Sequence, residues 1–278
     1  MKLNPYMPIP ATIDHIVTET PTIKTFGLRP ERPVAFQAGQ FVELTVPGIG
    51  EAPFTPSSSP AISKEMEITI MRVGRVTDAL HQMGVGDRLG VRGPYGQAYP
   101  IGKFHGREVL IVGGGCGVGP LRALLFALFE ELDQFPRIVV RIGARTPHDL
   151  VFKDAASSRW NKGTKVDVLV SVDHSEAGWT GPVGVVTSIL DKAHLDCHPR
   201  DGVAIMCGPP NMMKHVSQTL LQRGYAADDI YLSLERNMSC GWGNAATAAW
   251  DRITSVTTAR CLPINSWKAY RRPGIERR

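Results

Sequence analysis

Through its first hundred residues the chain alternates short β-branched and apolar runs, at 12–18, 41–46, 66–73 and 87–92, with clusters of Pro, Gly and Ser. Runs of that length between turn residues predict a small antiparallel β-barrel. Beyond residue 104 the texture changes. Apolar runs at 108–112, 137–142, 166–172 and 203–207 read as buried strands, with helical periodicity at 121–132, 183–192 and 212–222 between them. The 121–132 segment is apolar on nearly all sides, as a helix packed on a sheet is. Strands alternating with helices predict an α/β domain with a doubly wound parallel sheet. The expected division is a barrel over 1–104, an α/β domain over 105–239, and a third stretch, 240–278, in which the periodicity is lost.

Length and composition fit this division. The chain has 278 residues, 43% of them hydrophobic, with 28 Gly and 21 Pro, which suits two ordinary domains and excludes a coiled-coil, collagenous or disordered polypeptide. A formal charge of +5 raises the question of a polyanionic partner, but residues 1–239 carry 24 basic and 24 acidic side chains, whereas 240–278 carry seven and two. The whole excess sits in the last stretch, which holds no recognisable nucleic-acid reading element, so no nucleic-acid partner is expected. Five scattered cysteines fit a reducing compartment rather than a disulfide framework. No apolar signal segment follows the first ten residues, and the most apolar stretch, 109–132, is broken by five glycines, Pro120 and Arg122. The expectation is a cytoplasmic protein without a membrane anchor.

The strongest chemical signal is V-L-I-V-G-G-G-C-G-V-G-P over 109–120, a strand, a glycine turn and a helix start. Glycines let backbone approach a pyrophosphate without Cβ clashes, and N–H groups at a helix N-terminus stabilise its charge. The same string also suits mere tight packing of a βα turn. M-C-G-P-P-N-M, 206–212, ends what reads as the last parallel strand, and Cys207, Gly208 and Pro209 there form a rigid apolar shelf for a flat ring. R-I-G-A-R, 141–145, ends the second strand of this half, where the adenosine ribose of a dinucleotide lies in such sheets. In the first half stand a proline-braced loop, E-A-P-F-T-P-S-S-S-P over 51–60, a strand end with Gly74 and with Thr77 as a helix N-cap, and a rigid turn over 90–96.

In that order, and together with G-A-R-T-P, W-T-G-P-V-G-V-V-T and L-E-R-N-M-S-C-G, these strings resemble the ferredoxin reductase-like flavoprotein superfamily over residues 10–240. The likeness is greatest to the flavoprotein gamma subunits of cytosolic, sulfhydrogenase-type nickel–iron hydrogenases, with anaerobic sulfite reductase B subunits and dihydroorotate dehydrogenase electron-transfer subunits as relatives. The resemblance implies an FAD-binding barrel, an NAD(P)-binding domain, and electron transfer between NAD(P)H and an iron–sulfur partner in a hetero-oligomer such as a hydrogenase complex. It places Pro53, Phe54, Thr55 and Ser57 beside the isoalloxazine, and Val73, Gly74 and Thr77 on the ribityl chain and pyrophosphate. Gly115, Gly117, Val118 and Pro120 would cradle the NAD(P) pyrophosphate, with Ala144 and Arg145 near the adenosine and Cys207, Gly208 and Pro209 near the nicotinamide. The superfamily's R-x-Y-S flavin motif reads Ala52-Pro53-Phe54-Thr55 here, so the FAD diphosphate needs another cation, for which Arg75 is the candidate.

The last stretch departs from the resemblance. There the family carries C-x4-C-x2-C…C, four thiolates that hold a 2Fe-2S cluster, yet here only Cys240 stands, and positions 245, 248 and 256 are Ala, Ala and Val. Codons for those residues begin GC, GC and GT, so reading one base earlier permits cysteine at all three. The expectation is an out-of-frame tail in place of a cluster domain. A rival reading is a non-catalytic nucleotide-binding or scaffold subunit that lost redox function with its cluster.

Overall fold

The computed structural model describes residues 7–156, 160–161, 163–190, 201–233 and 262–263. Its first half is a six-stranded antiparallel sheet of β1 (Ile9–Thr20), β2 (Ile23–Pro30), β3 (Phe41–Val46), β4 (Gly50–Phe54), β5 (Met66–Met71) and β6 (Arg88–Tyr95), ordered β4-β3-β6-β1-β2-β5. The two edges meet where Pro56, just past β4, bridges antiparallel to Ile68 of β5, which closes the sheet around a core of Ile13, Phe26, Leu44, Ile68 and Val91. Helix α1 (Arg75–Gln82) crosses one end.

Three details differ from expectation. β2 has no counterpart among the predicted runs, because Gly27 interrupts its apolar pattern, and there a Cβ would collide with the His15 ring. β4 was expected as a loop; it is an edge strand, the one setting in which Pro53 costs no ladder bond. The expected turn over 90–96 is mostly the end of β6, which pairs with both β1 and β3.

The second half is a sheet ordered β12-β11-β10-β7-β8-β9, from β7 (Glu108–Gly114), β8 (Ile138–Ala144), β9 (Val166–Val172), β10 (Gly202–Cys207), β11 (Ile230–Ser233) and β12 (Leu262–Pro263). Its pairings are parallel except β11 with β12. β10 is thus followed by another parallel strand. The first connection carries α2 (Val118–Glu130) and the connection from β10 to β11 carries α3 (Pro210–Gln222). The helix expected over 183–192 is instead a 3₁₀ turn, Val186–Ile189, with residues 191 and 192 outside the described residues. Gly184 lies at φ 133 and Val183, Val185 and Val186 are β-branched, so the segment lacks helical propensity. The chain runs outward from β7 to β8 and β9, then returns to lay β10 on the other side of β7. That reversal makes the carboxyl ends of β7 and β10 the crevice in which open α/β sheets bind ligands.

Candidate functional site where the two halves meet

The glycine string and the Cys207 string both end in this crevice. Register pairs Gly113 with Cys207 across β7 and β10, and Gly114 with Gly143 across β7 and β8. Gly115, Cys116 and Gly117 form one 3₁₀ turn that runs into α2, with Gly117 as N-cap and no side-chain cap. The two motif glycines serve different ends. A Cβ on Gly117 would lie 2.6 Å from the backbone of Cys207 and Gly208, so glycine there lets the two loops touch. Gly115 sits at φ +55 and a Cβ on it would meet nothing within 4 Å, so its side faces open space. Val118, buried, and Pro120, half-buried, occupy the first turn of α2, where proline lacks only a donor with no helical acceptor. Cys207 is buried, while Gly208 is half-buried and Pro209 exposed, beside Met212 of α3.

Ala144 and Arg145 stand farther along the same edge. The loop after β9 fixes them, with the N–H groups of Asp173 and His174 donating to the carbonyls of Ala144 and Arg145, both at 2.9 Å. The Arg145 side chain is exposed and pairs with Asp149 at 3.2 Å. Arg141 of the same string is not a site cation. It is fully buried, its Nη2 lies 2.7 Å from Asp167 Oδ2, and it donates to the carbonyls of Val140, Asp167 and Ile189.

On the barrel side Pro53 and Phe54 end β4 half-buried, and Thr55 and Ser57 follow buried. Val73 and Gly74 are exposed just before α1. Thr77 was expected to cap α1, but the N-cap is Gly74. Thr77 lies one turn inside, where its Oγ1 accepts the N–H groups of Val73 and Gly74 at 2.9 Å and donates to the Gly74 carbonyl at 2.8 Å. A hydroxyl three residues into a helix reaches back to its start, so Thr77 braces the turn. The N–H groups of Arg75, Val76 and Thr77 then have no helical acceptor, and a Cβ on Gly74 would meet nothing within 4 Å. Arg75 is exposed and makes no ion pair with a described residue. At the last turn of α1, burial, with Lys24 and Arg72 adding to it, holds the His81 pKa below its usual value. Its Nε2–H donates to the Ile70 carbonyl at 3.0 Å.

The barrel and glycine strings converge. A Cβ on Gly119 of α2 would lie 3.1 Å from Thr69 Cβ and 3.7 Å from Ser57 Cβ, and Cys116 Sγ donates to the Thr69 carbonyl at 3.6 Å. Arg122, one turn along α2, donates to Glu67 Oε2 at 2.5 Å and to the Ser57 carbonyl at 3.3 Å. Sequence reading gave Glu67 and Thr69 no role and took Arg122 only as a break in an apolar run. A lone cation within the apolar run of 118–129 was the available sign, since a buried charge needs a partner.

Comparison with known proteins fits this geometry. Residues 11–99 match the oxidoreductase FAD-binding domain family and residues 111–218 the oxidoreductase NAD-binding domain family. The gamma subunit of sulfhydrogenase 2 from Pyrococcus furiosus is 33% identical, with 87% of this chain and 88% of the relative covered. The chain belongs to the ferredoxin reductase-like FAD- and NAD-binding oxidoreductases. A probable dihydroorotate dehydrogenase B electron transfer subunit from Methanocaldococcus jannaschii is also 33% identical, over 85% of this chain and 81% of that one. Among solved structures, an NADH-dependent reduced ferredoxin-NADP oxidoreductase aligns with a TM-score of 0.64 at 26% identity, covering 86% of this chain and 79% of that chain. This oxidoreductase therefore has the predicted class of fold, and no helix among its described residues is long and apolar enough to cross a membrane.

Proposed function

We propose that this oxidoreductase is the nucleotide-facing electron-transfer subunit of a cytoplasmic complex, moving electrons between NAD(P)H and an iron–sulfur partner, with a hydrogenase assembly the first candidate. The partner class is argued from the relatives, whose names are those of a sulfhydrogenase subunit and an electron transfer subunit. The single observation that carries the redox reading is the contact of Gly119, in the first turn after the glycine loop, with Ser57 and Thr69 at the end of the barrel. It brings the two halves together, and in this reading the two stacked rings meet beside that contact.

The residues present fit both cofactors. Gly74 and Gly115 face open space, and each leads into a helix start without a side-chain cap, two places where backbone donors accept a diphosphate. In this reading Pro53, Phe54, Thr55 and Ser57 border the isoalloxazine, and Val73, Gly74 and Thr77 shape the ribityl and pyrophosphate turn, with Arg75 as its cation. Gly115, Gly117, Val118 and Pro120 form the second cradle, Ala144 and Arg145 flank the adenosine, and Cys207, Gly208 and Pro209 back the nicotinamide. Bound flavin supplies the acceptance of a hydride and the release of its electrons singly. The chain contributes proximity and orientation, and it needs no acid, base or nucleophile of its own.

The reading includes a boundary between the domains at 104/105. It also takes 240–278 as the product of a single-base deletion that replaced a 2Fe-2S domain, Cys240 being the remaining ligand. Cys240 lies outside the described residues. Resequencing across the codon for Trp242 tests this part, and an unbroken frame with clean coverage refutes it. For the whole reading, the full chain is reconstituted with FAD and assayed for NAD(P)H oxidation with an artificial dye. Retained yellow flavin and dye reduction are expected, with transfer to an iron–sulfur partner impaired. A chain that keeps no flavin contradicts it.

A further inference from the structure

One closed circuit of contacts links the halves. The Ser57 carbonyl accepts from Arg122, whose guanidinium carbon lies 4.6 Å from the centre of the Phe152 ring. The Phe152 N–H donates to Glu19 Oε2 at 2.9 Å, across 133 residues of sequence. Glu19 Oε1 accepts the Thr25 hydroxyl at 2.8 Å, Thr25 and Thr69 oxygens are 3.0 Å apart, and the Thr69 hydroxyl donates to Ser57 Oγ at 2.9 Å. Four of these residues belong to the barrel; Arg122 and Phe152 belong to the α/β half. Ser57, Thr25 and Thr69 are buried, Ser57 completely.

Phe152 makes the circuit more than packing. It sits at φ 56, a left-handed conformation that bulky residues adopt only when their surroundings hold them there. Its ring is fixed between Arg122 and Trp160, whose ring centre is 6.1 Å away, and its amide is fixed by Glu19. A strained turn of one half is therefore clamped by a carboxylate of the other, and that carboxylate connects through two buried hydroxyls to Ser57. The same Ser57 faces the first turn of α2.

We propose that Glu19 is a positioning residue for hydride transfer. It sets the register of the α/β half on the barrel, so that the glycine loop and the Cys207 shelf meet the barrel end at Ser57 in one geometry. This rests on the proposed function for the identity of the two rings. Glu19 touches neither ring and acts through Phe152 on one side and Thr25 on the other. Removing the carboxylate frees the strained turn and leaves the backbone cradles as they are, so binding and hydride transfer separate. Glutamine keeps the contacts with one bond reversed, since its carbonyl still accepts the Phe152 N–H while its amide donates to Thr25, whose hydroxyl is then free to donate to Thr69.

The test uses the full-length chain and the variants Glu19→Ala, Glu19→Gln and Thr25→Val. In the FAD-free protein, hydrogen exchange at the Phe152 amide is expected to rise roughly tenfold or more in Glu19→Ala. In the FAD-loaded protein, the limiting rate of flavin reduction by NADH is expected to fall on the order of tenfold, the cost of a sub-ångström misplacement, with NADH affinity held within about twofold. Glu19→Gln should restore both readouts to within about threefold, since it keeps the contacts. Unchanged exchange in Glu19→Ala, or a loss of affinity or melting temperature with an unaltered limiting rate, overturns the proposal. If Glu19→Ala does not fold, Thr25→Val cuts the circuit on the barrel side and must slow reduction in the same way. A wild-type chain that holds FAD but is not reduced by NADH overturns the proposed function instead, and the exchange measurement then decides the circuit alone.

Discussion

Two helices in this molecule begin behind a glycine N-cap, and the two glycines do opposite things. Gly74, before α1, is extended and exposed, its Cβ direction empty, and the turn is braced from within by Thr77. Gly117, before α2, is pressed against the backbone of Cys207 and Gly208, while Gly119 two residues on meets Thr69 and Ser57. The first start is open to its surroundings and carries little of the fold; the second joins three segments and both halves. The same residue type in the same cap position thus leaves an open turn in one place and closes a packed junction in the other. Within the glycine string the packing reading is visible at Gly117, whereas Gly115 is left for the cradle role proposed above.

The sharpest way to break this contrast is Gly117→Ala. Its methyl would meet backbone, which cannot swing aside, so a loss of about 3 kcal/mol and a fall in Tm on the order of 10 °C are expected in a thermal melt. An unchanged Tm would remove the keystone role. Next is Arg122→Met, which leaves Glu67 with only the His15 ring, 3.2 Å from its Oε1, as a partner. The side chains are 17% and 27% exposed, so the cost is that of a partly screened pair, about 2 kcal/mol by denaturant titration. A third comparison sets Gly115→Ala beside Gly74→Ala. Gly115 pays about 1 kcal/mol for its left-handed conformation, whereas Gly74 should lose no more than about 0.5 kcal/mol. In calorimetric titrations the first should weaken NADH and the second FAD, each several-fold, and the reverse pattern would interchange the cradles. The smallest effect concerns His81 at the far end of α1. Its pKa is lowered in the fold, so the unfolded chain takes up the proton first. Stability is full above the unfolded value of about 6.5 and declines as pH falls through the folded one. Tm measured between pH 7 and 5 should therefore slope less in His81→Asn.

The α/β half was legible from sequence because largely buried strands read as continuous apolar runs and because its glycine and Cys207 loops are local strings. β7, β8, β9 and β10 all fall where those runs lie. The barrel was legible only in outline. β4 carries Pro53 and Gly50 and so looks like a loop, and only its place at a sheet edge makes it a strand. Thr77 was recognised as important, but its hydroxyl works from inside the helix. Of the circuit between the halves only Arg122 left a trace, as a charge in an apolar helix. Glu19 and Phe152 meet through the fold alone, and a contact across 133 residues has no local signature. Of the tail, 240–278, only 262–263 are among the described residues, so its sequence reading stands on codons.

In the function proposed above, two ring systems meet where the second helix start touches the barrel at Ser57 and Thr69. Single-turnover reduction of the FAD-loaded chain by NADH, deuterated at the transferable C4 position, tests it most directly. The account predicts loss of the flavin's visible absorbance in one turnover, slowed by deuterium. Tight binding of both cofactors with no bleaching, or bleaching without any isotope effect under conditions where reduction limits the rate, would contradict it.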